Sequence, residues 1–365
     1  MSCLDGDRAS PARPHIVAYA DFARIGATMR DQAAEGSGRS FATRTPTAVE
    51  GSGLSRRRWL TGAVFAAVTV TACVLVGQRL TGSSWPLARA SAVYVACAVV
   101  CYFASFVLRA RGWHRLFPRE QQPDQARCLA SVGAAAASGA VLPFRLDYFV
   151  KIGTLRRLKG VRIGLEAVAL SIVSLGMVDA VAMLPLSISA TATSSADFRI
   201  PLLIVVTFGL ACTGLLIGSA RLVRLPLLRR SRRLQTVAEH VSAHRTREGR
   251  RSASIAGVYL FLCWTTRAVG SALLLSALGF AFSPTTALCV ICLSAAAGVV
   301  PITAGGAVAN AGATAGVLFA LGVGKDIAVN FSLASTLLLI TSASAAALCG
   351  AGYSLAQRRP LILGH

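Results

Sequence analysis

Acidic residues are scarce in this sequence, which has 15 Asp and Glu against 37 Lys and Arg among 365 residues. Charged residues of both signs make up 14% of the chain, whereas a soluble chain carries about 25%. The closely spaced cysteines lie in apolar stretches without histidine or carboxylate neighbours, so we interpret them as packing residues rather than metal or redox ligands: Cys97, Cys101, Cys289 and Cys292. This composition excludes an ordinary soluble protein.

Motifs of common enzyme chemistry are also missing. No Gly-Lys-Ser/Thr phosphate loop and no Ser/His/Asp arrangement is visible. A membrane glycosyltransferase needs acidic residues at an outer loop or membrane edge, but the predicted outer loops hold only Asp197 and Asp326, far apart in the sequence. We therefore expect no catalytic residues, no metal and no cofactor.

Apolar residues dominate what is present, at 54% of the chain with a mean hydropathy of +0.61. A helix needs about 18 or more apolar residues to cross ~30 Å of hydrocarbon. The sequence therefore predicts an all-α polytopic membrane helix bundle. Its apolar segments lie near 60–77, 90–108, 128–143, 165–188, 200–219, 254–279, 285–322 and 327–351.

The net charge of +22 is explained by where the basic residues lie, without a nucleic-acid partner. Positive residues collect in the cytoplasmic loops of membrane proteins. In the best-fitting orientation 26 Lys and Arg fall in cytoplasmic regions, against four outside: Arg79, Arg89, Arg199 and Lys325. We therefore expect a multi-pass protein of the bacterial plasma (inner) membrane with both termini in the cytoplasm.

Two of the apolar segments cannot be simple spans. Both flanks of 128–143 are strongly basic, so this segment is predicted to enter and return as a re-entrant hairpin over about 128–150. The segment 285–322 is too long for one helix and is broken at Pro301–Gly306. The prediction is six full spans plus two re-entrant or broken hairpins. Each half has the order helix, helix, hairpin, helix, and the two halves have opposite orientations in the membrane. Such an inverted repeat places a transport site near the midplane of the membrane.

The domain boundaries follow from the same pattern. Residues 1–54 are polar without steady periodicity and are predicted to be a disordered cytoplasmic tail or an over-long start. Residues 55–352 form the predicted membrane domain, with halves at about 55–190 and 198–352. Residues 353–365 are a short cytoplasmic tail.

The hairpin tips read "SGAVLPFRLDYFVKIGTLRRLKG" at 138–160 and "AGVVPITAGGAVANAG" at 297–312. Proline removes a backbone donor, and backbone groups freed in a membrane must be satisfied by protein or by cavity water. Such breaks predict a ligand cavity at the tips, with a simple kink as the alternative. The candidate residues there are Pro143, Arg145, Asp147, Lys151, Pro301, Thr303, Gly305, Gly306 and Asn310.

Two charged residues lie inside predicted spans. Asp179 and Arg267 both fall roughly 20 Å from the cytoplasmic ends of their helices at 1.5 Å per residue. Intramembrane charges are costly and usually pair or mark a pathway. We therefore expect an Asp179–Arg267 pair facing the bundle interior, with either a structural or a direct role.

At these motifs the sequence resembles the membrane domain of lysylphosphatidylglycerol synthases and related flippase-like proteins. "LPFRLDYFVKIGTLRR" followed by "SLGMVDAVAMLPL" is similar to one signature, and "VVPITAGGAVANAGATAGVLFALGV" to another, over roughly residues 60–350. The matching positions are Pro143, Arg145, Asp147, Asp179, Pro301, Gly305 and Gly306. The chain departs from the family pattern at Leu146, Ala304, Val308 and Ala311, the last standing where a glutamate is usual.

The resemblance implies translocation of a lipid, or of a lipid-linked headgroup, between leaflets, with anionic phospholipid as the expected partner. It does not imply lipid synthesis, because no aminoacyl-transfer domain is expected after the last apolar segment. Two alternatives stay open: a small-solute secondary transporter, and a non-transporting membrane partner of an envelope enzyme.

Overall fold

The computed structural model describes residue 87 and residues 90–139, 146–158, 163–194, 196–223, 246–299 and 306–357. Within these ranges the chain is helical and no strand occurs, which confirms the all-α prediction for this part. The helices are α1 Ala92–Arg115, α2 Gln125–Gly139, α3 Asp147–Arg157, α4 Leu165–Thr193, α5 Ala196–Val223, α6 Arg247–Ala277, α7 Pro284–Val299, α8 Gly306–Ala320 and α9 Lys325–Ala356, with a short 3-10 turn at Arg119–Gln121.

Five of these helices, α1, α4, α5, α6 and α9, are long and apolar enough to cross a membrane. They correspond to five of the predicted full spans; the sixth, at 60–77, and the predicted tail 1–54 lie outside the described residues. α6 begins at Arg247, before the predicted start of its apolar segment at 254. The reason is local, because the Thr246 hydroxyl accepts a hydrogen bond from the Gly249 amide and caps the helix.

Two hydrophobic clusters show how the helices are directed. One joins the C-terminal ends of α1 and α9 to the N-terminal halves of α4 and α6; it includes Trp113, Leu116, Val168, Leu260 and Ala346. The other joins the N-terminal ends of α1 and α9 to the C-terminal ends of α6 and α8; it includes Val95, Leu275, Leu318 and Phe331. α1 and α9 therefore run antiparallel to α4 and α6.

One end of this bundle carries most of the exposed arginines of the described residues and is called the basic end. It is the end of the first cluster, where α1 and α3 finish and α6 begins. The arginines are Arg111, Arg115, Arg119, Arg156, Arg157, Arg250 and Arg251. Chain regions that the charge pattern assigned to one side of a membrane therefore meet at one end of the fold.

α2 and α3 form an antiparallel helical pair at the basic end. Arg127 Nη2 donates to Leu155 O at 2.6 Å, and Ser131 Oγ donates to Lys151 O at 2.5 Å. From Arg127 to Ser131 the chain moves four residues forward along α2, and the partner carbonyl moves four residues back along α3, from Leu155 to Lys151. The two helices therefore run antiparallel. At 1.5 Å per residue the two helices are about 22 and 16 Å long, shorter than ~30 Å of hydrocarbon.

α7 and α8 form the corresponding short pair at the opposite end. Thr285 and Thr286 at the start of α7 line the same small cavity as Leu321 and Gly322 just after α8, so the two helices also run antiparallel. α7 ends at Val299 and α8 begins at Gly306, on either side of the predicted break. The residues that join them, 300–305, lie outside the described part of the chain, as do residues 140–145 between α2 and α3.

Glycines let α2 approach α9 closely. A Cβ built on Gly133 would lie 2.5 Å from Ala343 O and 2.5 Å from Ala347 N. A Cβ on Gly350 of α9 would likewise overlap backbone atoms of α2. Small residues at helix interfaces in membranes allow such backbone contact, from which dispersion and packing stabilise the pair. α2 is therefore held against a long helix, and in turn it holds α3.

We expect Gly133→Ala to lower the stability of the protein by about 1–3 kcal/mol, because the added methyl group must push α2 away from α9. The measurement is chemical unfolding of the purified protein in detergent. Gly214→Ala in α5 is the matched control, since nothing lies within 4 Å of a Cβ there. A Gly133→Ala protein as stable as the Gly214→Ala protein would contradict the close packing of α2 on α9.

Candidate functional site

Asp179, at the middle of α4, ties three helices together. Its Oδ2 accepts a hydrogen bond from Arg109 Nη2 of α1 at 2.5 Å, within a salt bridge. Its Oδ1 accepts from Trp264 Nε1 of α6 at 2.6 Å. Both carboxylate oxygens are therefore satisfied, as a charged group inside an apolar bundle requires.

The predicted direct pair of Asp179 with Arg267 is wrong. Arg267 lies one helical turn beyond Trp264 on α6, so the indole rather than the guanidinium reaches the carboxylate. The two groups still interact electrostatically at longer range. The partner of Asp179 comes instead from α1, the helix against which α6 packs most extensively.

Arg267 is held by α1 without a carboxylate. Its Nε donates to Ser105 Oγ at 3.0 Å, and Ser105 Oγ donates on to Tyr102 O at 2.6 Å. The guanidinium carbon lies 5.1 Å from the Phe106 ring centroid and 5.2 Å from the Trp264 ring centroid. Such cation–π contacts stabilise a cation but do not cancel its charge. The two terminal nitrogens make no hydrogen bond to any residue in the described ranges, so the planar fork is free to bind another acceptor.

Lys151 of α3 is the third cation, and its side chain is buried. Its Nζ lies 4.2 Å from the Trp113 ring centroid, and Trp113 Nε1 in turn donates to Ser171 Oγ of α4 at 3.1 Å. Arg109, Asp179 and Asp147 all act electrostatically on Lys151. Asp147 opens α3 one turn earlier and is partly exposed, in the first turn where the helix dipole favours a carboxylate.

These three cations lie at successive turns of α1. Arg267 contacts the turn of Ser105 and Phe106, Arg109 belongs to the next turn, and Lys151 covers Trp113 one turn further on. Residues spaced by three or four share one helix face, and four residues rise ~6 Å. We call Lys151, Arg109 and Arg267 the cation ladder; it extends roughly 12 Å along α1.

The ladder carries excess positive charge. Within the described residues, three cations face one partly buried carboxylate, Asp179, and that carboxylate is already bound to Arg109. When the partly exposed Asp147 is counted as well, the three cations still outnumber the two carboxylates. Unpaired charges in a low-dielectric interior are costly and imply a missing counter-ion or a hydrated space. Chemically the arrangement is suited to bind an anion.

The ladder is closed at the end away from the basic end. Tyr102 and Ser271, one turn beyond Arg267, are buried and share a hydrogen bond of 3.0 Å between their hydroxyl oxygens. The second hydrophobic cluster follows immediately. The middle of the ladder is more open, because Arg109 and Asp179 retain 22% and 13% of their side-chain exposure. Within the described residues no group of three or more His, Cys, Asp or Glu could hold a metal ion.

The structure brings together three of the residues selected from the sequence, Lys151, Asp179 and Arg267, with Asp147 beside them. Gly306 begins α8 and Asn310 lies in its first turns. The other candidates lie outside the described residues, and their roles stay predictions: Pro143, Arg145, Pro301, Thr303 and Gly305.

Arg109 was missed from the sequence. It follows directly after the predicted apolar segment 90–108, so the charge pattern places it in a cytoplasmic loop, whereas α1 continues to Arg115. A usable signal was present, since Tyr102, Phe106, Arg109 and Trp113 are spaced by three or four and place this arginine on an aromatic helix face. The same spacing would have indicated Trp113 as a site residue.

A double-mutant cycle tests the corrected pairing. Alanine substitutions of Arg109 and Asp179 should show a coupling free energy of about 1–3 kcal/mol in chemical unfolding, because each single change leaves a buried charge without its partner. The cycle of Arg267 with Asp179 should give a coupling below about 0.5 kcal/mol. Arg111, which is exposed on α1, supplies the additive control with Asp179. A larger coupling for Arg267 than for Arg109 would restore the original pairing.

Comparison with known proteins agrees with the resemblance of the two motifs. The model of the family described as "Lysylphosphatidylglycerol synthase TM region" matches residues 59–346, a range that contains the cation ladder and both short helix pairs. Searches among curated proteins and among solved structures found no match. Because the family match covers most of the chain, the protein is an integral membrane protein that belongs to the lysylphosphatidylglycerol synthase transmembrane-region family.

Proposed function

We propose that the protein translocates an anionic lipid, or a lipid-linked headgroup, between the leaflets of the bacterial plasma membrane. The observation that carries this proposal is the excess positive charge of the cation ladder inside an apolar bundle. A phosphate group is the common anion of membrane lipids, and a guanidinium fork binds it through parallel charge-assisted hydrogen bonds. The headgroup phosphate would move along the ladder while its acyl chains stay in hydrocarbon.

The spacing of the ladder supports stepwise movement of a headgroup. Each cation lies roughly 6 Å from the next along α1, so a phosphate leaving one can reach the next without crossing a long apolar gap. Trp113 holds Lys151, and Phe106 and Trp264 hold Arg267, by their rings rather than by carboxylates. These two cations therefore remain available to a passing anion, whereas Arg109 is bound to Asp179.

We infer a membrane arrangement of six full spans and two re-entrant or broken hairpins in an inverted repeat, with the basic end and both termini in the cytoplasm. The antiparallel directions of the long helices support it, as do the two short helix pairs at opposite ends of the bundle. On this arrangement both hairpins enter toward one midplane, and the ladder is nearer to the cytoplasmic side.

We propose no chemical step for the protein. The ladder consists of three cations, and the carboxylate beside them, Asp179, is already bound to Arg109 and Trp264, so the arrangement is suited to bind and move an anion. Anionic phospholipid is the proposed partner. Transport of a small anionic solute, or a supporting role beside an envelope enzyme, would be separate outcomes of the following experiment.

The test is leaflet exchange of fluorescent phosphatidylglycerol in vesicles that contain the purified protein. Exchange should exceed that of protein-free vesicles and of fluorescent phosphatidylcholine. Arg267→Ala and Lys151→Met should each slow it by about tenfold or more, the equivalent of losing one charge-assisted contact. Arg251→Ala and Lys325→Met remove exposed charges of the same kind and should leave the rate unchanged.

Three results would count against lipid transport. No exchange above protein-free vesicles rejects the proposal outright. Uptake of a small phosphorylated solute without lipid exchange favours a solute transporter. Absence of both, with a stable protein, favours a supporting partner of an envelope enzyme.

Cysteine accessibility tests the topology. In a background without the ten native cysteines, Arg119→Cys and Arg157→Cys should react with an impermeant thiol reagent from the same side of the membrane, and Lys325→Cys from the other. All three side chains are exposed on the bundle, so each cysteine can react. Labelling of positions 119 and 157 from opposite sides would show that α2 and α3 cross the membrane rather than return.

A further inference from the structure

The Arg109–Asp179 pair divides the cation ladder into two parts. Among the described residues it is the only salt bridge of the ladder, and the Arg119–Glu248 salt bridge lies at the surface. On the side of the basic end is Lys151 against Trp113, and on the far side is Arg267 against Ser105 and Phe106. An anion in the ladder therefore meets positive charge at both ends and a neutral pair between them.

Asp179 competes with a ligand anion for Arg109, the middle cation of the ladder. Its Oδ2 accepts a hydrogen bond from Arg109 Nη2 and so takes the place that a phosphate oxygen would otherwise have. Its Oδ1 is held separately by Trp264 Nε1, so the carboxylate keeps one hydrogen bond when it releases the arginine. Both guanidiniums also lie near the Trp264 ring, at 5.6 Å for Arg109 and 5.2 Å for Arg267, and Asp179 acts electrostatically on Arg267 as well.

Resting on the proposed function, we propose that the ladder holds two anion subsites, an inner one at Lys151 and an outer one at Arg267, separated by the Arg109–Asp179 pair. A phosphate diester with one negative charge crosses between them by replacing Asp179 on Arg109. During this step the displaced carboxylate is held by Trp264 and faces Arg267. When the phosphate moves on to Arg267, Asp179 returns to Arg109, so ion pairs are exchanged and no covalent bond changes.

The subsites differ in what they offer a ligand. Arg267 presents the two terminal nitrogens of a planar fork, which can bind two oxygens of one phosphate at once. Lys151 offers a single point charge above an indole face. Each subsite has one cation, which matches the single charge of a phosphate diester better than the double charge of a phosphate monoester.

The experiment is equilibrium binding to the purified full chain in detergent. The probe is short-chain phosphatidylglycerol, the uncharged control is a diacylglycerol of the same chain length, and a separate arm uses inorganic phosphate. Tighter binding of phosphatidylglycerol identifies a lipid headgroup as the source of the phosphate. Equal or tighter binding of inorganic phosphate would overturn the phosphate diester as the ligand.

Substitutions that remove one charge then distinguish the role of the Arg109–Asp179 pair from that of the two subsites. Arg109→Ala should weaken binding by about tenfold or more, because it leaves the Asp179 carboxylate uncompensated between the subsites. The double variant Arg109→Ala/Asp179→Asn deletes a neutral pair and should bind within about threefold of the wild type. Asp179→Asn alone frees Arg109 and should tighten binding by about tenfold. Arg111→Ala and Glu166→Gln are the exposed controls on the same helices and should change nothing.

A double variant that binds as weakly as Arg109→Ala would overturn the inference, since Arg109 would then be a ligand at rest. Leaflet exchange supplies the second readout. The double variant should bind normally but exchange about tenfold more slowly, because the middle cation is lost, and faster exchange would also overturn the inference.

A second pair of substitutions covers the case in which Arg109→Ala does not fold. Lys151→Met and Arg267→Met should each leave binding at the remaining subsite, and the two together should abolish it. Complete loss with either single change would show one site rather than two.

If the binding pattern holds while the wild type exchanges no lipid, the proposed function fails and the two subsites stand. If the wild type exchanges lipid without this binding pattern, only the subsites fail.

Discussion

The arrangement of the bundle depends on the carboxylate of Asp179. A charged group at the middle of an apolar helix must be satisfied by protein, and here Arg109 and Trp264 satisfy it from two other helices. This requirement aligns α1, α4 and α6 along their length. Once they are aligned, the turns of α1 that carry Phe106 and Trp113 lie beside Arg267 and Lys151, and the ladder follows.

A second constraint positions the inner end of the ladder. α2 packs closely on α9 because both lack side chains where their backbones meet, at Gly133 and Gly350. α2 then holds α3 through hydrogen bonds from its side chains to backbone carbonyls, including that of Lys151. The backbone of the lysine is therefore positioned by the packing of α2 on α9, while its Nζ lies over the Trp113 ring of α1.

Much of the helical framework could be predicted because hydropathy and charge are local properties of the sequence. Apolar segments become helices in a membrane, since every backbone group must be satisfied within its own segment. The predicted segments near 90–108, 165–188, 200–219, 254–279 and 327–351 are found as long helices, and most exposed arginines of the described residues meet at one end. The predicted end of α1 is wrong because a count of charges does not distinguish an arginine inside a helix from an arginine in a loop. Arg109 was therefore assigned to a loop, although its aromatic neighbours at helical spacing indicated otherwise.

The sequence by itself determined that this protein is a membrane helix bundle, which ends of its helices lie together, and that Asp179 and Arg267 are buried charges needing partners. Only the tertiary structure decided what those partners are. Helical periodicity assigns a residue to a face and a depth, but the rotation and register of a neighbouring helix are set by packing. A long side chain can then reach across from an unexpected helix, as Arg109 does to Asp179. The alignment of three cations along α1 is likewise a product of packing between helices distant in sequence, because each cation comes from a different helix.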